Sequence, residues 1–138
     1  MQRTVIILTI ALVVGVAIGM LGHQVLIAQQ SPIKRTILQQ KDLEGVRGKE
    51  VIMFLAEIAP GGELGRHYHP GPEFFYILEG ALTIEPDGKP PVTIKAGESW
   101  YGPAKYISNQ KNASKTKPLK TITFMVVDKG QPLTTPIR

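Results

Sequence analysis

Glycine and proline cut this chain into pieces too short for long helices. From Pro60 onward, turn signals recur at Pro60-Gly61-Gly62, Pro70-Gly71-Pro72, Gly80, Pro86-Asp87-Gly88, Gly97, Gly102-Pro103, Pro118 and Gly130. Between them lie short runs rich in β-branched and aromatic residues, which read as strands. The 14 Gly and 11 Pro are well above an average share of roughly 12%. The spacing predicts strands over Ile33–Leu38, Lys49–Ala59, Arg66–His69, Phe74–Leu78, Ala81–Ile84, Val92–Lys95, Trp100–Tyr101, Tyr106–Ser108 and Thr121–Val127. The tail from Gly130 has no periodicity, and no amphipathic helix stands out. Roughly seven to nine short strands at even spacing argue for an all-β closed barrel or double-sheet jelly roll.

The N-terminus is of another kind. Of the first 28 residues 19 are apolar, against 43% for the chain. Val5 to Gly22 carries no charge, and His23-Gln24 interrupts the run before Val25–Ala28. Its length lies between a signal-peptide core and a span of about 20 residues. Ala28 suits a cleavage site but Leu26 does not, so an uncleaved hydrophobic anchor helix is slightly favoured over a cleaved signal. The expected organisation is residues 1–28 as signal or anchor and 29–138 as one domain. Arg3 on the short flank predicts a domain outside the cytoplasm, periplasmic or tethered to the inner or plasma membrane. Gly15-Val16-Ala17-Ile18-Gly19 is a spacing that pairs membrane helices, a weak signal for a dimer.

The chain has no cysteine, which excludes disulfides, thiolate metal sites, thiol catalysis and lipoprotein anchoring. Net charge is +5. Lys105, Lys111, Lys115, Lys117 and Lys120 follow one another without an intervening acid. They read as a solvated loop beside a strand, with attraction to anionic headgroups as the sharper alternative. No nucleic-acid-binding motif accompanies the charge.

His67-Tyr68-His69 carries the chemistry. Side chains alternate along a strand, so both imidazoles point to one face. Glu73 follows across the Pro70-Gly71-Pro72 bend. Two histidines and a carboxylate with open positions suit a divalent ion such as Fe, Mn, Ni or Zn. Other residues read as structure: Phe74–Leu78 as barrel core rather than a stacking platform, and Glu98 as a turn cap. Asn112-Ala113-Ser114 is a glycosylation triplet by pattern alone.

The spacing is more specific than the residues. Gly61, five residues, His67-Tyr68-His69, three residues, Glu73, six residues and Gly80 match the first motif of the cupin family. Gly97, Pro103 and Asn112 fall where the second motif places them. From Ile33 to Val127 the chain resembles a small single-domain cupin, of the exported or anchored bacterial kind compared with quercetin dioxygenase. The resemblance implies a jelly-roll barrel, a metal at His67, His69 and Glu73, and a substrate among flavonols, small enediols and acids. It also implies pairing through strands at the barrel edge, hence a homodimer.

Two departures stand out. The second-motif histidine is Ser108 here, and the usual glycine after Pro-x is Lys105. Three outcomes follow. The three residues hold an ion alone; or Tyr106, which on a regular strand faces the same way as Ser108, completes the site, although a tyrosine there reads first as barrel filling; or the barrel is metal-free and lined for an organic ligand. The functional expectation is an exported or anchored metal-binding cupin with dioxygenase-like activity on a small organic substrate. Its alternative is a non-catalytic small-ligand-binding or sensory barrel, favoured by the missing histidine.

Overall fold

The computed structural model describes residues 32–137. The apolar leader, the 28/29 boundary and the Gly15–Gly19 motif lie outside the described residues. Ten strands run in order: β1 (Ile33–Asp42), β2 (Lys49–Ile58), β3 (Glu63–Tyr68), β4 (Glu73–Glu79), β5 (Ala81–Pro86), β6 (Val92–Lys95), β7 (Ser99–Gly102), β8 (Ser108–Asn112), β9 (Leu119–Asp128) and β10 (Thr135–Pro136). They form two five-stranded sheets, β1-β2-β9-β4-β7 and β10-β3-β8-β5-β6. Every pairing is antiparallel. The described residues contain no helix. This is the jelly roll that the turn spacing predicts.

Alternation explains the core. On β2 the inward residues are Glu50, Ile52, Phe54, Ala56 and Ile58; on β9 they are Leu119, Thr121, Thr123, Met125 and Val127. They meet in register, Ile58 against Leu119 and Ile52 against Met125. Two apolar clusters result, one around Ile77, Leu82, Ile84 and Leu119, the other around Ile52, Phe54, Met125 and Val127. Each fully buried aliphatic side chain contributes about 1.5–3 kcal/mol.

Four expectations need correction. Phe74–Leu78 is not core throughout: Phe75 and Ile77 point in, whereas Phe74, Tyr76 and Leu78 are each about half exposed. They face out with Tyr101 and Phe124, and the Phe74 and Tyr101 ring centroids are 4.9 Å apart. β1 runs on to Asp42, paired with β2 through a bulge between Ile37 and Gln39. β8 begins where a strand was expected to end. Its sequence, Ser-Asn-Gln-Lys-Asn, has poor strand propensity, yet it is held between β3 and β5 and buries Ser108, Gln110 and Asn112. The tail also has a role, because Thr135 and Pro136 pair with Tyr68 and His67.

The lysine run is partly neutralised. Lys111 pairs with Glu85, and Lys120 with Glu79 at 3.1 Å. Glu98 caps a turn as expected, accepting from the Lys95 amide at 2.7 Å. Asn112 is a structural tie. It is buried, and its amide nitrogen donates to Ile58, Ala59 and Lys117 carbonyls at 2.8–3.1 Å. That leaves the glycosylation pattern without an accessible acceptor.

Candidate metal centre

The site begins with a bulge. The β3–β8 register shifts between Glu63 and Arg66, around Gly65 at φ +73°. That conformation is open to glycine and costly for other residues. It turns the Gly65 carbonyl toward His67, whose Nδ1 donates to it at 2.8 Å. Two residues on, His69 Nδ1 donates to the Leu133 carbonyl at 2.7 Å. The chain then crosses from one sheet to the other through Pro70-Gly71-Pro72. The crossing hugs β9 so closely that a Cβ at Gly71 would lie 1.9 Å from the Val126 carbonyl oxygen. Glu73 opens β4 on the far side.

The crossing brings the three expected residues together. His67, His69 and Glu73 are all buried. The imidazole centroids are 4.9 Å apart at 89°, with the two Nε2 atoms 3.1 Å apart. His69 Nε2 lies 3.3 Å from Glu73 Oε2. Gln110, from β8, donates its amide to Glu73 Oε1 at 3.1 Å.

Proton bookkeeping gives this cluster its meaning. A carbonyl oxygen only accepts, so both Nδ1 atoms must carry hydrogen. In a neutral imidazole the Nε2 atom then holds a lone pair. Two lone pairs and a carboxylate oxygen therefore converge, and only a cation, whether a proton or a metal ion, resolves their repulsion. An Nδ1–H bonded to a backbone carbonyl is also the usual support of a metal-binding histidine. The donor types suit a divalent ion. Their contacts run as a chain, His67 to His69 to Glu73, and among the described residues no group of three His, Asp or Glu side chains is arranged to hold one.

Burial disfavours charge on all three groups, and the Arg35 cation opposes protonation of both histidines. Burial pulls the His67 imidazole below its ordinary value and His69 down to about 4; the hydrogen bonds to Gly65 and Leu133 oppose this. Burial pushes the Glu73 carboxyl up to about 7, against the lowering effects of Gln110 and Arg35. Taking charge out of water disfavours the ionised form in every case.

Ser108 sits directly opposite His67 in the β3–β8 register and is buried. Tyr106 is not part of this cluster. It precedes β8 in a turn, packs against the core cluster and stacks under Lys89, whose Nζ lies 5.6 Å from the ring centroid. It is not among the residues lining the cavity beside His69 and Glu73. The reason is local: Lys105 adopts φ +61°, and the chain is not yet extended at Tyr106. That left-handed residue stands where the cupin motif has glycine, and its amide donates to the His69 carbonyl at 2.8 Å.

Residues unsighted in the sequence complete the site. A cavity of about 30 Å³ beside His69 and Glu73 is lined also by Gln110, Thr121, Thr123 and Arg35. Gln110 left no signal in the sequence, because Ser108–Asn112 is polar throughout and its alternating burial comes from its place between β3 and β5. Arg35, two residues after Ile33 on one face of β1, left a faint trace.

A family model described as Cupin domain matches residues 54–127. Dimethylsulfoniopropionate lyase DddW of Ruegeria pomeroyi is 38% identical over 55 residues, 40% of this chain and 36% of that protein. The chain thus matches about a third of that relative's length. A cupin superfamily protein from Desulfitobacterium hafniense superposes with TM-score 0.58 at 18% identity, covering 72% of this chain and 82% of that one. DMSP lyase DddQ from Ruegeria pomeroyi gives 0.59 at 17% identity, covering 76% and 51%. The structural likenesses speak for the fold. With the motif spacing, the jelly roll and a family match over more than half its length, this chain belongs to the cupin family.

Proposed function

We propose that the barrel is a divalent-metal-dependent enzyme acting on a small organic substrate. The observation that carries this reading is the convergence of His67 Nε2, His69 Nε2 and Glu73 Oε2 with both Nδ1 hydrogens already committed to carbonyls. His67, His69 and Glu73 would hold the ion, with Gln110 orienting the carboxylate through its other oxygen. The ion, when bound, supplies Lewis-acid polarisation of a substrate oxygen. The chain's own part is to fix the donors and to exclude water. Thr121 and Thr123, bonded to each other at 3.4 Å, line the same cavity. Sequence likeness to a lyase and the family's dioxygenase-like members support a reaction at a small oxygen-bearing molecule.

A second reading is a metal-free, ligand-binding or sensory barrel. Ser108 favours it, because that buried side chain stands opposite His67 where a third imidazole would complete a stronger site. For either reading we place the domain outside the cytoplasm, on the apolar run Val5–Gly22 behind Arg3, with a homodimer as its assembled form.

Elemental analysis of the full-length chain decides between them. The protein is purified without chelator and reloaded in turn with Mn, Fe, Ni and Zn, beside His67→Ala. About one ion per chain, lost in the variant, supports the enzyme. Far less than one with every ion, and no difference in the variant, leaves the metal-free barrel.

A further inference from the structure

We infer that Arg35 is an anion-binding residue that holds the carboxylate of a small organic acid beside the histidine pair. The inference rests on the reading of this site as a substrate centre and names the substrate class.

Arg35 lies on the inward face of β1, paired with Ala56 of β2. Alanine there leaves the room that a larger inward side chain would fill. The half-buried guanidinium borders two cavities. One is the inner space beside His69 and Glu73. The other, of about 170 Å³, is lined by His67, Ile33, Leu64, Thr134 and Pro136. Arg35 and the histidine pair thus lie between the inner and outer cavities.

Its lack of partners is the telling feature. Arg66 engages Asp87 through two nitrogens. Among the described residues Arg35 makes no side-chain hydrogen bond and has no carboxylate within 4.0 Å; Glu73 acts on it only at longer range. A cation drawn partly out of water without an acceptor is costly. A guanidinium fork matches a carboxylate with two parallel hydrogen bonds. The outer cavity is smaller than the roughly 300–1,000 Å³ of drug-sized sites. Its apolar residues Ile33, Leu64 and Pro136 suit a short hydrocarbon body. The ligand is therefore a small carboxylic acid with its charged end on Arg35. An arginine that merely neutralised Glu73 would not distinguish an acid from its amide.

The test uses the full-length chain freed of metal by chelator. Butyrate and butyramide are titrated by calorimetry into wild type, Arg35→Gln and Arg35→Lys, with thermal melting to check folding. Butyrate should bind wild type at least about tenfold more tightly than butyramide, as a charge-assisted bidentate pair implies. Arg35→Gln should abolish the preference, and Arg35→Lys should keep part of it. Equal binding of acid and amide by wild type, no binding of either, or an intact preference in folded Arg35→Gln overturns the inference. Ion uptake measured on the same samples separates the two readings. A barrel that takes no ion but keeps an Arg35-dependent preference loses only the metalloenzyme. One that takes its ion and shows no preference loses only the acid site.

Discussion

Glu50 and Glu73 are two buried carboxylates on one sheet face, one row apart on either side of β9. Glu50 pairs with Val127 and Glu73 with Met125. Each is about 5% exposed or less, yet their surroundings are opposite. Glu50 accepts from Gln40 Nε2 and from the Gly130 amide, both at 2.8 Å. Those two donors hold its carboxyl below the usual carboxylate range, against the opposing effect of burial and with Lys129 helping. Glu73 receives one amide donor, and burial pushes it up to about 7. The fold thus supplies a full set of donors to the carboxylate that stitches β2 to the loop after β9. It leaves the other with a single amide donor, facing a histidine. Buried charge that is satisfied is structure; buried charge left wanting marks a site.

Exchanging each carboxylate for its amide should break the symmetry completely. Glu73→Gln should lower ion affinity by more than about a hundredfold, beyond the effect of losing an outer partner. In the metal-free protein it should raise stability at pH 8 by about 3 kcal/mol, roughly 10 °C in Tm. The sign follows from the raised pKa. Between its ordinary value and about 7 the native state keeps a proton that the unfolded chain has released. The associated stability is full below about 4.5 and is lost as pH rises through 7. Melting curves from pH 5 to 8 should show that loss in wild type relative to Glu73→Gln. Glu50→Gln should do the reverse, lowering Tm at neutral pH with ion uptake unchanged. A common direction for the two variants would end the distinction.

A smaller effect sharpens it. Removing residues 131–138 deletes the carbonyl that fixes His69, and also Leu133, which packs on the second core cluster. Ion affinity should fall about 10–100-fold, the usual cost of losing an outer-shell partner, as read by competition with a chelating dye. The smallest effect is expected at Lys105, where φ +61° strains a non-glycine residue. Lys105→Gly should gain about 0.5 kcal/mol, strain relief less the entropy of a freer unfolded chain. A calorimetric scan should show a rise of roughly 2 °C.

The parts of this molecule that were legible in sequence are those governed by neighbours along the chain. Alternation put His67 and His69 on one face, and the Pro-Gly-Pro bend delivered Glu73 to them. The hidden parts depend on register between distant strands. β8 is polar, so no hydrophobic period announced it, and Gln110 reaches Glu73 across 37 positions. The irregular backbone before β8 comes from a left-handed Lys105, which cannot be read from lysine's identity. Arg35 needed the knowledge that Ala56 stands opposite it. The outward half of Phe74–Leu78 shows a further limit: an apolar run reveals its alternation but not whether anything covers the second face.

The hydrogen bond from His69 to Leu133 also has a place in time. The two residues are separated by 64 positions, roughly 3 to 13 s of synthesis at the usual pace of translation. Through that interval the His69 ring lacks the acceptor that sets its tautomer, and β3 lacks its outer partner β10. The imidazole pair gains its final orientation only when the segment beyond β9 folds back. On the metal-binding reading proposed above, ion capture in the mature geometry would then be a late event.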